Sequence, residues 1–162
     1  MKLVYWANVE GRLFWTRGML YYHNVDFEDE NINAPAEGRN GWNEQQELEK
    51  KGFIKPDLPY LEDGDVKLVE SFAIAKYVAR KIKCYAENEK DLQVQEQIEA
   101  LLNAYLERII SLRWGPEGEG LDAEREDFKK TIDKKLKPVE NLIAKNGGKW
   151  ICGEKLTEWV PH

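Results

Sequence analysis

Pro56-Asp57-Leu58-Pro59-Tyr60-Leu61, then Asp63-Gly64, then Glu70-Ser71-Phe72-Ala73-Ile74-Ala75-Lys76-Tyr77-Val78-Ala79-Arg80, spell out a strand, a tight turn, a second strand and a helix start suited to an anion. Pro59 stands among apolar residues at the start of a strand over 58–62, where proline costs a ladder hydrogen bond unless it is cis or on an edge. Asp63-Gly64 is a hairpin-turn pair, and Val66 to Val69 forms the return strand. Ser71 falls where a helix N-cap belongs, and the amides beyond it favour a carboxylate or a phosphate. A hairpin followed by a helix that Ser71 merely caps needs no ligand. The length and order of the whole run favour the ligand-site reading.

The flanking pattern extends this unit. Lys2 to Trp6 reads as a short strand, and Gly11 opens a helix to about His23, with Leu13, Phe14, Arg17, Leu20 and Tyr21 at helical spacing. Val25 to Phe27 is the candidate parallel second strand. Residues 28–51 are polar and punctuated by Asn-Gly and Pro-Ala-Glu-Gly, which predicts a loop with one short helix. With the helix from Ser71 to about Ile82, the order is β-α-β, loop, β-β-α. That is an α/β arrangement of the thioredoxin-like kind, over residues 1–82. Residues 83–90 are polar and predict a linker. An all-helical region over 91–162 follows. Val94, Ile98, Leu101, Leu102, Tyr105, Leu106 and Ile109 make one apolar stripe from Asp91 to about Leu112. Phe128, Ile132, Leu136, Val139 and Ile143 make another from Ala123 to about Lys145, with Asn146-Gly147-Gly148 as its stop.

The 162 residues, 42% hydrophobic and 33% charged, have the composition of an ordinary folded protein that needs no disulfide or metal staple. No apolar run approaches the ~20 residues of a membrane span, and the first residues lack a signal-peptide apolar core. A cytoplasmic location without membrane partners is the expectation. Cys84 and Cys152 lie far apart, with no Cys-x-x-Cys spacing and no histidine cluster, so neither a metal site nor a dithiol centre is expected. A net charge of −6 opposes nucleic-acid binding. The basic run Lys129 to Lys137 is interleaved with Asp133 and helix-spaced apolar residues, and reads as a solvated helix face.

The run from Leu58 to Lys81 resembles the glutathione transferases, whose thioredoxin-like domain carries Leu-Pro-Tyr-Leu, Asp-Gly, a Gln-Ser or Glu-Ser pair and Ala-Ile-x-x-Tyr-[Ile/Val]-Ala-Arg-Lys. The resemblance implies that Pro59 is the structural cis-proline. It further implies that Asp57 and Leu58 pair with the glutathione backbone, and that Glu70 and Ser71 hold its γ-glutamyl end. Tyr5-Trp6, with Gly11 and Arg17 beyond, is similar to the tyrosine-type enzymes, above all the mu class, although the spacing to Gly11 is one residue longer here. Arg39-Asn40-Gly41-Trp42 matches the mu pattern Arg-x-x-Trp, in which both residues hold glutathione. The lysine that follows this tryptophan in the mu class has Lys50 and Lys51 as substitutes here, and Lys51 is the candidate. Trp150 to Thr157 resembles the family's Trp-[Phe/Leu]-x-Gly-x-x-[Ile/Leu]-Thr. There the family continues into a capping box and a central helix, whereas position 160 is Val and the sequence reaches His162. A shortened helical domain with exposed apolar stripes is therefore expected.

The chemistry that the resemblance implies is activation of a thiol. A free cysteine thiol has a pKa near ~8.5, and lowering it by two units corresponds to roughly 2.7 kcal/mol. One hydrogen bond to a charged group supplies ~1.5–3 kcal/mol, so a single hydroxyl nearly suffices. Tyr5 is the candidate catalytic donor. Arg39, with a lysine, would meet the glycine carboxylate of glutathione, while the helix start at Ser71 would meet the γ-glutamyl carboxylate. The implied activity is conjugation of the glutathione thiolate to a hydrophobic electrophile, with glutathione as substrate and no cofactor. Rival expectations are a non-catalytic module on the same scaffold, and a glutathione-dependent isomerase or peroxidase. The family is typically homodimeric. The mu class inserts an aromatic before the strand-leading proline into its partner, and here that position is Lys55, so a homodimer would use another contact.

Overall fold

A computed structural model describes residues 1–36, 42–115, 118, 120–147 and 151. The chain divides into two compact units, residues 1–85 and 86–162. Arg39, Cys152 and all of the Trp150–Thr157 motif except Ile151 lie outside the described residues.

The first unit runs β1 (Lys2–Trp6), a 3-10 turn at Gly11–Leu13, α1 (Phe14–Tyr22), β2 (Glu28–Ile32), α2 (Gln45–Lys50), β3 (Tyr60–Asp63), β4 (Val66–Val69) and α3 (Ser71–Lys81). The strand order is β2-β1-β3-β4, with β2 parallel to β1 and the other pairs antiparallel. This is the expected thioredoxin-like sheet. Alternation along β1 sends Leu3 and Tyr5 to one face and Val4 and Trp6 to the other. Leu13, Thr16, Met19 and Leu20 from the α1 segment, with Ile74, Ala75, Val78 and Ala79 from α3, are buried with Leu3 and Leu61. On the opposite face, Phe53 packs edge-on against Tyr60 at 5.1 Å and Trp42 against Trp6 at 6.3 Å.

The second strand is not where its apolar residues point. Val25 to Phe27 precede it, and β2 is the polar sequence Glu28-Asp29-Glu30-Asn31-Ile32. Its alternation is electrostatic: Lys2 of β1 pairs with Glu28 and Glu30 on one face, and Arg17 of α1 bonds Asp29 and Asn31 on the other. A polar sequence suits this edge strand, since an apolar one would template further pairing. The α1 stripe also shifts by a turn position. Leu13, Arg17 and Leu20 are buried as expected, but Phe14 and Tyr21 are 49% and 62% exposed.

The second unit contains α4 (Glu89–Trp114) and α5 (Leu121–Lys145). Asn88 caps α4 by accepting the Asp91 N–H at 3.0 Å, and Gly115 closes it by donating to the Ser111 carbonyl. The helices run antiparallel: Tyr105 donates its hydroxyl to the Lys135 carbonyl, Arg108 pairs with Glu124 and Arg125 bonds the Leu112 carbonyl. No residue of α5 is buried, and Ile109 and Trp114 of α4 are exposed.

Candidate functional site

Tyr5 and Trp6 end β1 opposite Asn31 and Ile32 of β2. Tyr5 is only 5% exposed, yet its hydroxyl makes no hydrogen bond to a described residue. The backbone returns to it at Gly11, where φ is +38° and an added Cβ would stand 3.1 Å from the Tyr5 Oη. The strand therefore delivers a phenol to the start of the first helical segment with its donor unspent.

On the other face of the sheet, Trp42 is 7% exposed and packs against Trp6, with its rings nearly perpendicular at 74°. Its indole Nε1 is buried with no acceptor among the described residues. An unsatisfied buried donor costs about 1–3 kcal/mol, which a ligand oxygen would recover. Lys51 follows α2 as its C-cap, an exposed side chain 3.9 Å from Glu62.

The Leu58-Pro59 peptide is cis, and it turns the chain into β3 with Leu58 and Pro59 buried and Asp57 exposed. Asp57 does not stand clear of its neighbour: its carboxylate accepts the Leu58 N–H at 2.7 Å. A ligand backbone pairing along this segment has the Leu58 carbonyl to use, and must displace the Asp57 carboxylate to reach the N–H. Glu70 connects β4 to α3 with φ +68° and ψ +110°, a conformation that costs a non-glycine residue of order 1–3 kcal/mol. Such strain concentrates at ligand sites. Ser71 is not the N-cap that the sequence predicts. Glu70 occupies that place without a side-chain cap, and Ser71 is the first helical residue, buried beneath it. The first amides of α3 have no intrahelical acceptor, as at any helix start, and they favour an anion.

Two residues named in the sequence only for their spacing and turn have supporting roles that the sequence does not show. Arg17, buried on α1, bonds Asp29 at 2.9 Å, Asn31 at 3.0 Å and the Val9 carbonyl at 3.3 Å, and lies 3.6 Å from Glu10. Its signal was a charge repeating at i, i+4 and i+7 with Leu13 and Leu20. Asp63, beside the hairpin turn, accepts the Tyr77 hydroxyl and the Lys81 ammonium of α3 and lies 3.8 Å from the chain's amino terminus. The Lys81 hydrogen bond, then that of Tyr77, hold its carboxyl below the usual range. The hairpin is thereby tied to the helix whose start carries Glu70 and Ser71. Among the described residues no cluster of His, Cys, Asp and Glu is arranged to hold a metal, and no helix is long and apolar enough to cross a membrane.

Residues 1–80 match the family model of the glutathione S-transferase N-terminal domain. Glutathione S-transferase Y1 of Cricetulus longicaudatus and glutathione S-transferase Mu 1 of Rattus norvegicus are each 32% identical to this chain over 160 residues. Glutathione S-transferase Mu 2 of Homo sapiens is likewise 32% identical. Each of these alignments takes in 97% of the chain and 70% of the relative. The crystal structure of the glutathione S-transferase Blo t 8 superposes with a TM-score of 0.78 at 31% identity, covering 98% of this chain and 71% of that one.

Proposed function

The chain belongs to the glutathione S-transferase family, as a mu-like member, and we propose on that footing that it joins the glutathione thiolate to a hydrophobic electrophile. The observation that carries the reading is Tyr5, a side chain 5% exposed at the end of β1 whose hydroxyl has no hydrogen-bond acceptor among the described residues. A phenol donor left unspent on a largely buried side chain is suited to a thiolate, and one such bond supplies most of the ~2.7 kcal/mol needed to lower a thiol pKa by two units. The thiol proton is lost to solvent, and attack by the thiolate forms the carbon–sulfur bond as a leaving group departs with its electron pair, or as the π pair of an activated double bond shifts on to an atom that takes up a proton from solvent. Glutathione enters as substrate, and no cofactor takes part.

In this reading Trp42, with Arg39 and Lys51, takes the glycine carboxylate, and its unsatisfied indole N–H is the donor in waiting. The Leu58 segment, with Asp57, pairs with the peptide backbone of glutathione. Glu70 meets the γ-glutamyl ammonium, and Ser71 with the α3 amides meets its carboxylate. Trp6, which packs on Trp42, is a further glutathione contact in this reading. The cytoplasm as location and a homodimer as assembly complete the proposal. The rival module without activity is not favoured by relatives that all carry transferase names.

Calorimetric titration of the chain with glutathione, followed by absorbance titration of the bound thiol, tests the reading. Saturable binding is expected, with a thiol midpoint below the free value by about two pH units and returned toward it in Tyr5→Phe. A folded chain that does not bind glutathione, or a Tyr5→Phe chain that titrates like the wild type, would overturn it.

A further inference from the structure

We infer that Gly11 is a positioning residue for the Tyr5 hydroxyl, because its missing side chain lets the returning loop close on the phenol. The inference rests on the thiolate role proposed for Tyr5. Between Trp6 and Gly11 the chain runs Ala7-Asn8-Val9-Glu10, and it reverses through two residues of positive φ, Asn8 at +59° and Gly11 at +38°. A Cβ at Gly11 would meet the Tyr5 Oη at 3.1 Å, the Tyr5 Cε1 at 3.4 Å and the Val9 Cγ1 at 3.0 Å. Both the backbone conformation and the space therefore call for glycine here. By contrast, a Cβ at Gly18 of α1 would have nothing within 4 Å.

The same loop also lines an open cavity of about 410 Å³, formed by Ala7 to Glu10 with Arg17, Tyr21, Asp29 and Asn31. Arg17 in its lining bonds the Val9 carbonyl as well as Asp29 and Asn31, and Asn31 is the register partner of Tyr5. The loop is thus pulled by one guanidinium toward the strand that carries the phenol's neighbour. An added methyl at Gly11 has an outlet, since the loop can yield into the cavity. The phenol then loses its backstop, and its hydroxyl shifts relative to the thiolate it is to meet.

The test is a double-mutant cycle read by the titration midpoint of bound glutathione, with binding affinity and thermal unfolding measured alongside. Gly11→Ala is expected to raise the midpoint by about half to one pH unit while glutathione affinity changes less than about threefold. In a Tyr5→Phe background the same substitution should leave the midpoint where it is, and Gly18→Ala should leave it at the wild-type value. Gly11→Asn separates strain from space, since asparagine accepts positive φ but carries the Cβ; it should raise the midpoint as alanine does. An unmoved midpoint in both Gly11 variants, or an equal shift with and without the Tyr5 hydroxyl, would overturn the inference. So would failure of both variants to fold, because the glycine would then serve the fold and not the hydroxyl. A wild-type midpoint at the free-thiol value, or a Tyr5→Phe chain matching wild type, overturns instead the thiolate role from which the inference starts.

Discussion

The two units enclose their apolar residues to different depths. In residues 1–85, Leu3, Val4, Leu13, Leu20, Leu61, Ile74 and Val78 are fully out of water, because a sheet with side chains on both faces shuts each layer from two directions. In residues 86–162 the described elements are two antiparallel helices and burial is patchier: Ile98 and Leu112 of α4 and Ile151 are buried, while α5 buries none of its residues. Phe128, Ile132, Leu136, Val139 and Ile143 are all half-buried, and none is fully covered. The same hydrophobic periodicity therefore has different energetic weight in the two units.

The largest expected effect measures that difference directly. Leu61→Ala removes a fully buried side chain at the centre of β3 and should destabilise the first unit by about 3–4 kcal/mol, through lost transfer energy and the cavity left behind. Ile132→Ala on α5 should cost under about 1 kcal/mol, since its side chain already meets water. Denaturant titration followed by amide hydrogen exchange in each unit would separate the two. Equal losses would break the contrast.

A second comparison sets one charge against another. Arg17 is buried and bonded to Asp29, Asn31 and the Val9 carbonyl, so Arg17→Met leaves Asp29 without its cation and should cost about 3 kcal/mol. Arg108 makes a short ion pair with Glu124, but both are exposed, and Arg108→Ala should cost no more than about 1 kcal/mol. Urea midpoints of the two variants decide between them. An Arg17 variant as stable as Arg108→Ala would mean that the loop behind Tyr5 is held by its own backbone.

These contrasts bear on how much the sequence discloses. The strand, turn and helix from Leu58 to Lys81 were legible because most residue types answer a local demand: Asp-Gly for a hairpin, alternating and then helix-spaced apolar residues for the elements; Pro59 alone left cis and edge open, and the family resemblance implied cis. The two long helices were legible for the same reason. β2 was not, because Glu28 to Ile32 form a strand only through partners on β1 and α1, and a pattern search sees no apolar alternation there. The caps of α3 were misread for a related reason. Ser71 has the right chemistry for a cap, but the sharp turn out of β4 sets Glu70 at positive φ and puts Ser71 inside the helix. Within the candidate site, Tyr5, Trp42 and the Leu58 segment were nameable individually from the resemblance. The orphaned indole of Trp42 and the close approach of Gly11 to Tyr5 exist only once the chain is folded.

The smallest expected effect concerns pH and belongs to the first unit alone. The Asp63 carboxyl is held low chiefly by the Lys81 and Tyr77 hydrogen bonds, so the native state binds its proton less readily than the unfolded chain does. Its contribution is in full force above the ordinary value of 3.8 and fades as pH falls below it. Tyr60 works in the opposite sense. Burial, with Glu30 and Glu62 nearby, pushes its hydroxyl from 10 up to about 12, so the native state keeps a proton that the unfolded chain gives up. That contribution is complete below pH 10 and is lost as pH rises from 10 toward about 12. The urea midpoint of the first unit should therefore sag at both ends of the pH range, with Asp63→Asn flattening the acid limb and Tyr60→Phe the alkaline one. In the second unit Lys137 is raised by its hydrogen bond to Glu140, but both groups stand in water, and Lys137→Ala should leave the pH profile as it is. A profile in which Lys137→Ala and Asp63→Asn act alike would show that depth of burial does not separate the charges of the two units.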